Sequence, residues 1–258
     1  STERLYVNWI RRFILFHHKR HPIEMGKAEV SEFLTHLAVD RTVTSSTQNQ
    51  ALSALLFLYR HVLEQEWGWL EEVVRAKRPG HVPVVLTHAE AQTVLAMLDG
   101  RYWLIGKLLY GGGLRILECL RLRVKDLDFV RMQVAVQDSK GKQDRFTMLP
   151  RSVVTPLQEH LKQVRAAHKR AMREGYGGVG LPFTLAANYP KATYEWGWQY
   201  VFSAPRPSLA PRSGVRRRHH IDPTGIGRAV KQALRKAGIN KHATAHTFVT
   251  FCHAALGK

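Results

Sequence analysis

Hydrophobic positions recur at helical spacing along the first part of the chain. Tyr6, Trp9, Ile10, Phe13 and Phe16 form one stripe, Val30, Phe33, Leu34 and Leu37 a second, and Leu52, Leu55, Leu56, Tyr59, Val62 and Leu63 a third. Side chains three and four apart share one face of an α-helix, so these stripes predict a small helical bundle. The segments between them, "HHKRHP" and "DRTVTSSTQNQ", are polar and partly basic, and suit either solvated loops or contacts to phosphate oxygens. The pattern breaks at "RAKRPGHVPVVLT", where Pro79, Gly80 and Pro83 interrupt any helix and spell an extended linker. Immediately after it, "THAE" (Thr87 to Glu90) has the form of a capping box, with Ala91, Val94, Leu95 and Leu98 as the buried stripe of the helix it opens. The expected division is a helical domain over residues 1–74, a linker over 75–87 and a second domain over 88–258.

The second domain reads as mixed. A helix near Trp103 to Tyr110 runs into Gly111, Gly112 and Gly113, which suit a tight turn, and a new helix begins at about Arg115. Two β-like runs, "QVAV" and "RFTMLP", flank the polar loop "QDSKGKQD" as a hairpin. A long helix is expected from Val153 towards Arg173, an irregular stretch rich in Gly, Pro and aromatics over 175–224, and a last clear helix in "IGRAVKQALRKAGI". The fold class expected is mainly α with a small β-sheet, an α+β chain of two domains.

Composition changes this picture in one respect. With 45% hydrophobic and 23% charged residues, the 258-residue chain is an ordinary globular one, but 39 Lys and Arg stand against 20 Asp and Glu, a formal net charge of +19. Such an excess calls for a polyanion, and nucleic acid is the natural partner. The charge is spread along the chain instead of lying on one amphipathic helix, which argues against a membrane surface. The longest apolar run, "ALSALLFLY", is too short to span a bilayer and no signal peptide opens the chain, so a cytoplasmic protein is expected. Ser1 already lies in a helical pattern, which suggests an N-terminus cut short. Cys119 and Cys252 form no CxxC pair and the 14 His lack ligand spacing, so neither a metal nor another cofactor is expected.

Candidate chemistry lies in three places. Arg115 follows three glycines into a helix start, where its guanidinium and nearby amides suit an anion. Lys140 sits at the hairpin tip, placed to protonate a leaving alkoxide in a DNA groove. His246, preceded by Thr244 and Ala245, opens a helix where an imidazole suits a phosphoryl oxygen. Each alone is also what a surface charge looks like. Taken in order, the boxes "YGGGLRILECLRLRVKDLDF", "SKGKQDRFTMLP" and "TAHTF" resemble the tyrosine recombinase (phage integrase) family over essentially the whole chain. The segment "YPKATYEWGWQYVFSAPRPSLAPRSGVRRRHH" resembles the insertion of integron integrases.

The resemblance implies a helical core-binding, SAM-like domain followed by a catalytic domain that carries the insertion at about 175–224. It implies integration and excision of gene cassettes through a 3′-phosphotyrosine, without ATP or metal. Arg115 would clamp the phosphate, Lys140 would be the general acid and His246 a proton shuttle. It also implies a tetramer on DNA and use of folded single-stranded hairpin sites. The last box departs from the pattern: Val249 stands where the family has a second arginine, and all eight tyrosines precede His246. The expectation is a chain truncated at its C-terminus, deficient in cleavage and monomeric in solution; the alternative is a non-catalytic DNA-binding remnant of such an integrase. A shifted reading frame, a substituted stretch and a truncated gene product all fit the tail.

Within the insertion, Trp196, Trp198 and Tyr200 alternate, which would put all three on one face of an extended segment for stacking on unpaired bases. Packing of the insertion is the competing account. Arg216, Arg217, Arg218, His219 and His220 follow as candidate contacts to the DNA backbone.

Overall fold

Three helices, α1 (Thr2–Phe16), α2 (Lys27–Val39) and α3 (Ser45–His61), form where the three stripes lie. In this computed structural model the described residues are 2–65, 76, 84–137, 144–181, 183–210 and 214–248. Trp9, Phe13, Val30, Phe33, Leu34, Leu37, Leu55 and Tyr59 belong to one buried cluster. Phe13 meets Phe33 edge-on at 5.6 Å between ring centres, the arrangement that brings a positive ring edge to a negative face. Thr44 caps α3 by accepting from the amide of Thr47. Buried Gln48 then spends both ends of its amide: Nε2 donates to Leu34 O at 3.0 Å, and Oε1 accepts from Ala76 N at 2.9 Å. The chain divides into two compact units, Ser1–Val82 and Pro83–Lys258.

In the second unit, α4 (His88–Ala96) starts at the Thr87 capping box. Glu90 accepts from Thr87 N at 2.7 Å, while Thr87 Oγ1 accepts from Glu90 N at 3.2 Å. Lys241 Nζ reaches the same carboxylate at 2.7 Å, tying the segment beyond the last long helix to the start of this unit. α5 (Gly100–Gly112) passes through the core with Leu104, Ile105, Leu108 and Leu109 buried. The three glycines are not one turn, which corrects the expectation. Gly111 and Gly112 are the last turn of α5, and only Gly113 leaves it, in the left-handed region at φ 60°. The first two are small because of what approaches them: a Cβ on Gly111 would lie 2.6 Å from Pro150 Cγ, and one on Gly112 3.2 Å from Met148 O.

After α6 (Ile116–Arg121) the strands β1 (Leu127–Asp128), β2 (Gln133–Val136) and β3 (Arg145–Met148) make an antiparallel sheet in that order, with Val136 opposite Arg145. Val134 and Val136 face the core, whereas Phe146 and Met148 on β3 are exposed. Long α7 (Val154–Arg173) follows, then α8 (Phe183–Asn188), the short pair β4 (Ser208–Leu209) and β5 (Arg216–Arg217), and α9 (Pro223–Lys236). Asp222 caps α9 through the amide of Thr224, with Pro223 at the first helical position. Residues 245–248 are helical and bury Ala245 and Phe248 in the core that holds Leu114, Cys119, Leu120 and Val134. Burial pushes the Cys119 thiol far up, which makes it an inert packing group. The fold is mainly α with a small β-sheet. Among the described residues no helix is long and apolar enough to cross a membrane.

Candidate active site and nucleic-acid interface

Arg115 is the N-cap of α6, extended at φ −66° and ψ 151° between buried Leu114 and the first helical turn. Glu118 lies one turn on. Its carboxylate accepts from Arg115 N at 2.9 Å, from Arg115 Nη1 at 2.7 Å and, from β3, from Arg145 Nη2 at 2.7 Å. The Glu118 side chain is only 9% exposed while that of Arg115 is 49% exposed, so a sheltered anion holds an accessible cation by one edge. Burial pushes the Glu118 carboxyl up, but the Arg115 amide and guanidinium together with Arg145 outweigh it and hold it below the usual carboxylate range. Two guanidinium groups on one carboxylate leave a net positive charge beside a cleft of about 340 Å³ that Arg115, Glu118, Arg121, Arg123 and Tyr200 help to line. Such a site suits a phosphate.

His246 stands exposed between buried Ala245 and Thr247 in the helical turn 245–248. Thr244 Oγ1 accepts from His246 N at 3.2 Å, and Thr247 Oγ1 accepts from Thr244 N at 3.0 Å, so the two threonines cap the start of the turn. Arg115 and His246 therefore project from elements whose neighbours share one core. Lys140, Val249 and Cys252 lie outside the described residues.

The aromatic segment differs from the extended one expected. Trp196–Trp198 is a 3-10 turn, so the three rings do not alternate along a strand. Cations from two other elements, α7 and the short 3-10 turn Val124–Asp126 with its N-cap Arg123, meet them instead. Arg165 on α7 lies 5.7 Å from the centre of the Trp196 ring, Lys125 Nζ 4.1 Å from that of Trp198, and the Arg123 guanidinium 4.6 Å from that of Tyr200. Trp196 and Trp198 are half-buried; Tyr200 is 8% exposed and meets His220 edge-on. The basic run also splits. Arg216 and Arg217 form β5, with the Arg216 guanidinium 5.0 Å from the Tyr176 ring centre. Arg218 turns inward, where Nη1 donates to Ala204 O at 3.2 Å. His220 donates from Nδ1 to Ile221 O at 2.8 Å. Burial, with His220 and Arg217 nearby, holds the His219 pKa below its ordinary value.

Sequence reasoning passed over Glu118, Arg123, Lys125 and Arg145. The signal for Glu118 was present, since an acid three residues after a helix N-cap is a capping arrangement. Among the described residues no cluster of three or more His, Cys, Asp or Glu is placed to hold a metal ion.

The fold is that of two-domain tyrosine recombinases. It superposes on XerH site-specific recombinase bound to palindromic difH substrate with a TM-score of 0.61, at 17% identity over 98% of this chain and 68% of that one. The Tn1549 transposon integrase in complex with transposon right end DNA gives 0.59 at 17% identity, over 100% of this chain and 86% of that one. The chain belongs to the phage integrase family: residues 84–256 match it, and residues 1–69 match the phage integrase N-terminal SAM-like domain. It is 47% identical over 246 residues to proteins named integrase/recombinase from Escherichia coli and Pseudomonas aeruginosa, covering 95% of this chain and 73% of each relative. The activity of the family is site-specific DNA recombination.

Proposed function

We propose that the protein acts in integration and excision of gene cassettes as an integron-type recombinase, and that a polypeptide of these 258 residues holds its DNA without cutting it. The observation that carries the reading is the Arg115–Glu118–Arg145 cluster. One carboxylate fixes an accessible guanidinium at a helix start, where a phosphodiester gains an anion site prepared in advance. In the reaction a tyrosine oxygen bonds to phosphorus and the 5′-oxygen leaves with a proton; a 5′-hydroxyl reverses the step, so the phosphoester is conserved. Arg115 steadies the phosphoryl oxygens, Lys140 supplies the proton, and His246 contacts the phosphate and relays protons. The nucleophile is missing from this set, because the eight tyrosines all precede His246, and Val249 removes one guanidinium.

The net charge of +19 supports DNA as the partner, and so do relatives of the same fold solved on DNA. The insertion supports hairpin sites with unpaired bases. Of the three alternating rings, half-buried Trp196 and Trp198 keep part of their surface for stacking, while Tyr200 serves packing. A division into a core-binding domain over 1–74, a linker over 75–87 and a catalytic domain beyond is supported by the two compact units. Affinity for a duplex site is expected to fall steeply with salt, because each phosphate contact releases counterions. A suicide substrate is expected to give no covalent adduct. An adduct on a denaturing gel refutes the non-cleaving reading, and an affinity indifferent to salt refutes the electrostatic one.

A further inference from the structure

Arg123 lies just past the end of α6, and its guanidinium serves distant parts of the insertion. Nη1 donates to Trp198 O at 2.6 Å, and Nη2 donates to Gly180 O at 2.8 Å and to Tyr200 Oη at 3.4 Å. The same group lies over the Tyr200 ring and 5.5 Å from the centre of the Trp198 ring. Its backbone pairs with Tyr200 in an antiparallel bridge, flanked by Val124 N to Gln199 O at 3.0 Å and Val201 N to Leu122 O at 2.9 Å. Asp126 holds the Arg123 amide at 2.8 Å. Both terminal nitrogens already donate to protein acceptors, so the protein fixes this guanidinium where it lines the cleft beside Arg115.

We propose that Arg123 is a positioning residue. It fastens segment 196–200 to the wall of the Arg115 cleft and so sets where the accessible tryptophans stand relative to the clamped phosphate. The claim rests on the reading that the insertion engages unpaired bases. The contacts require a planar fork, because the acceptors come from residues 180, 198 and 200 and an ammonium offers no fixed geometry to span them. Lysine at 123 keeps the charge and loses the fork.

The test compares Arg123→Lys, Arg123→Met and the control Arg131→Met, which removes one charge from an exposed turn. Each binds a hairpin with extrahelical bases and the same hairpin without them. The parent is expected to prefer the bulged form by at least about fivefold, the least that one stacked base is worth. Both Arg123 variants are expected to bring that ratio to near unity, while Arg131→Met weakens both substrates alike and keeps it. Amide exchange without DNA is expected to show faster exchange at Val124 and Val201 in Arg123→Lys. A Lys variant that retains the parent's preference overturns the proposal. Should Arg123→Met not fold, the Lys variant decides. A parent that binds both hairpins equally refutes the stacking reading, and exchange then decides for Arg123: unchanged protection at Val124 and Val201 overturns the claim, and lost protection upholds the anchoring.

Discussion

Glu118→Gln tests the site at its sheltered member. The carboxylate accepts three hydrogen bonds, two from guanidinium groups. Glutamine keeps one acceptor and turns an NH2 towards the other donors, so at least one charge-assisted bond is lost, worth about 1.5–3 kcal/mol. The Arg115 and Arg145 side chains are 49% and 36% exposed, so water recovers part of that, and the lower end, about 1.5 kcal/mol, is the better figure. For a unit of this size that moves the melting temperature by about 3–6 °C. The pH dependence is a sharper check. The carboxyl is held below its ordinary value of 4.5, so its stabilisation is complete above that value and is lost as pH falls through the lower folded value. The gap between parent and variant, followed by thermal melting from neutral to acid pH, is expected to close in that window. A gap that stays constant, or no gap at pH 7, refutes the assignment of Glu118 as the anchor of both arginines.

Burial holds the His160 pKa below 6.5, against the pull of its bond to Val201 O, with Arg101 lowering it further. The unfolded chain therefore takes up a proton that the folded one resists. Stability is expected to decline as pH drops below 6.5, and His160→Gln to flatten that slope in denaturant melts; an unchanged slope counts against it. Gly111→Ala is expected to cost about 1–3 kcal/mol in chemical denaturation, because its methyl group meets the Pro150 ring; a neutral result would mean that the ring gives way freely.

Elements set by local burial were legible in the sequence. The stripes of α1 to α3 and the Thr87–Glu90 box needed only neighbours three or four residues away, and the helices begin and end near where the pattern places them. The glycines before Arg115 were misread because two of them answer to Pro150 and Met148, whose approach leaves no mark in the local pattern. The alternation of Trp196, Trp198 and Tyr200 has the period of a strand, yet the segment turns with the tighter 3-10 pitch, held by Arg123, Lys125 and Arg165. The helix start at Arg115 was legible, and Arg115 is the N-cap of α6. Arg145 was not, since only the folded sheet brings it to Glu118.

The salt bridge from Arg115 to Glu118 joins residues three apart at a single helix start, whereas the Arg123 contacts to Gly180 and Trp198 join residues 57 and 75 apart. Sequence drift can therefore act on the two at different rates. The aromatic segment can change while the Arg115–Glu118 pair, closed within one helical turn and supported by Arg145 from β3, keeps its shape. A fold built this way can alter one segment of its second unit without disturbing the arrangement at the start of α6.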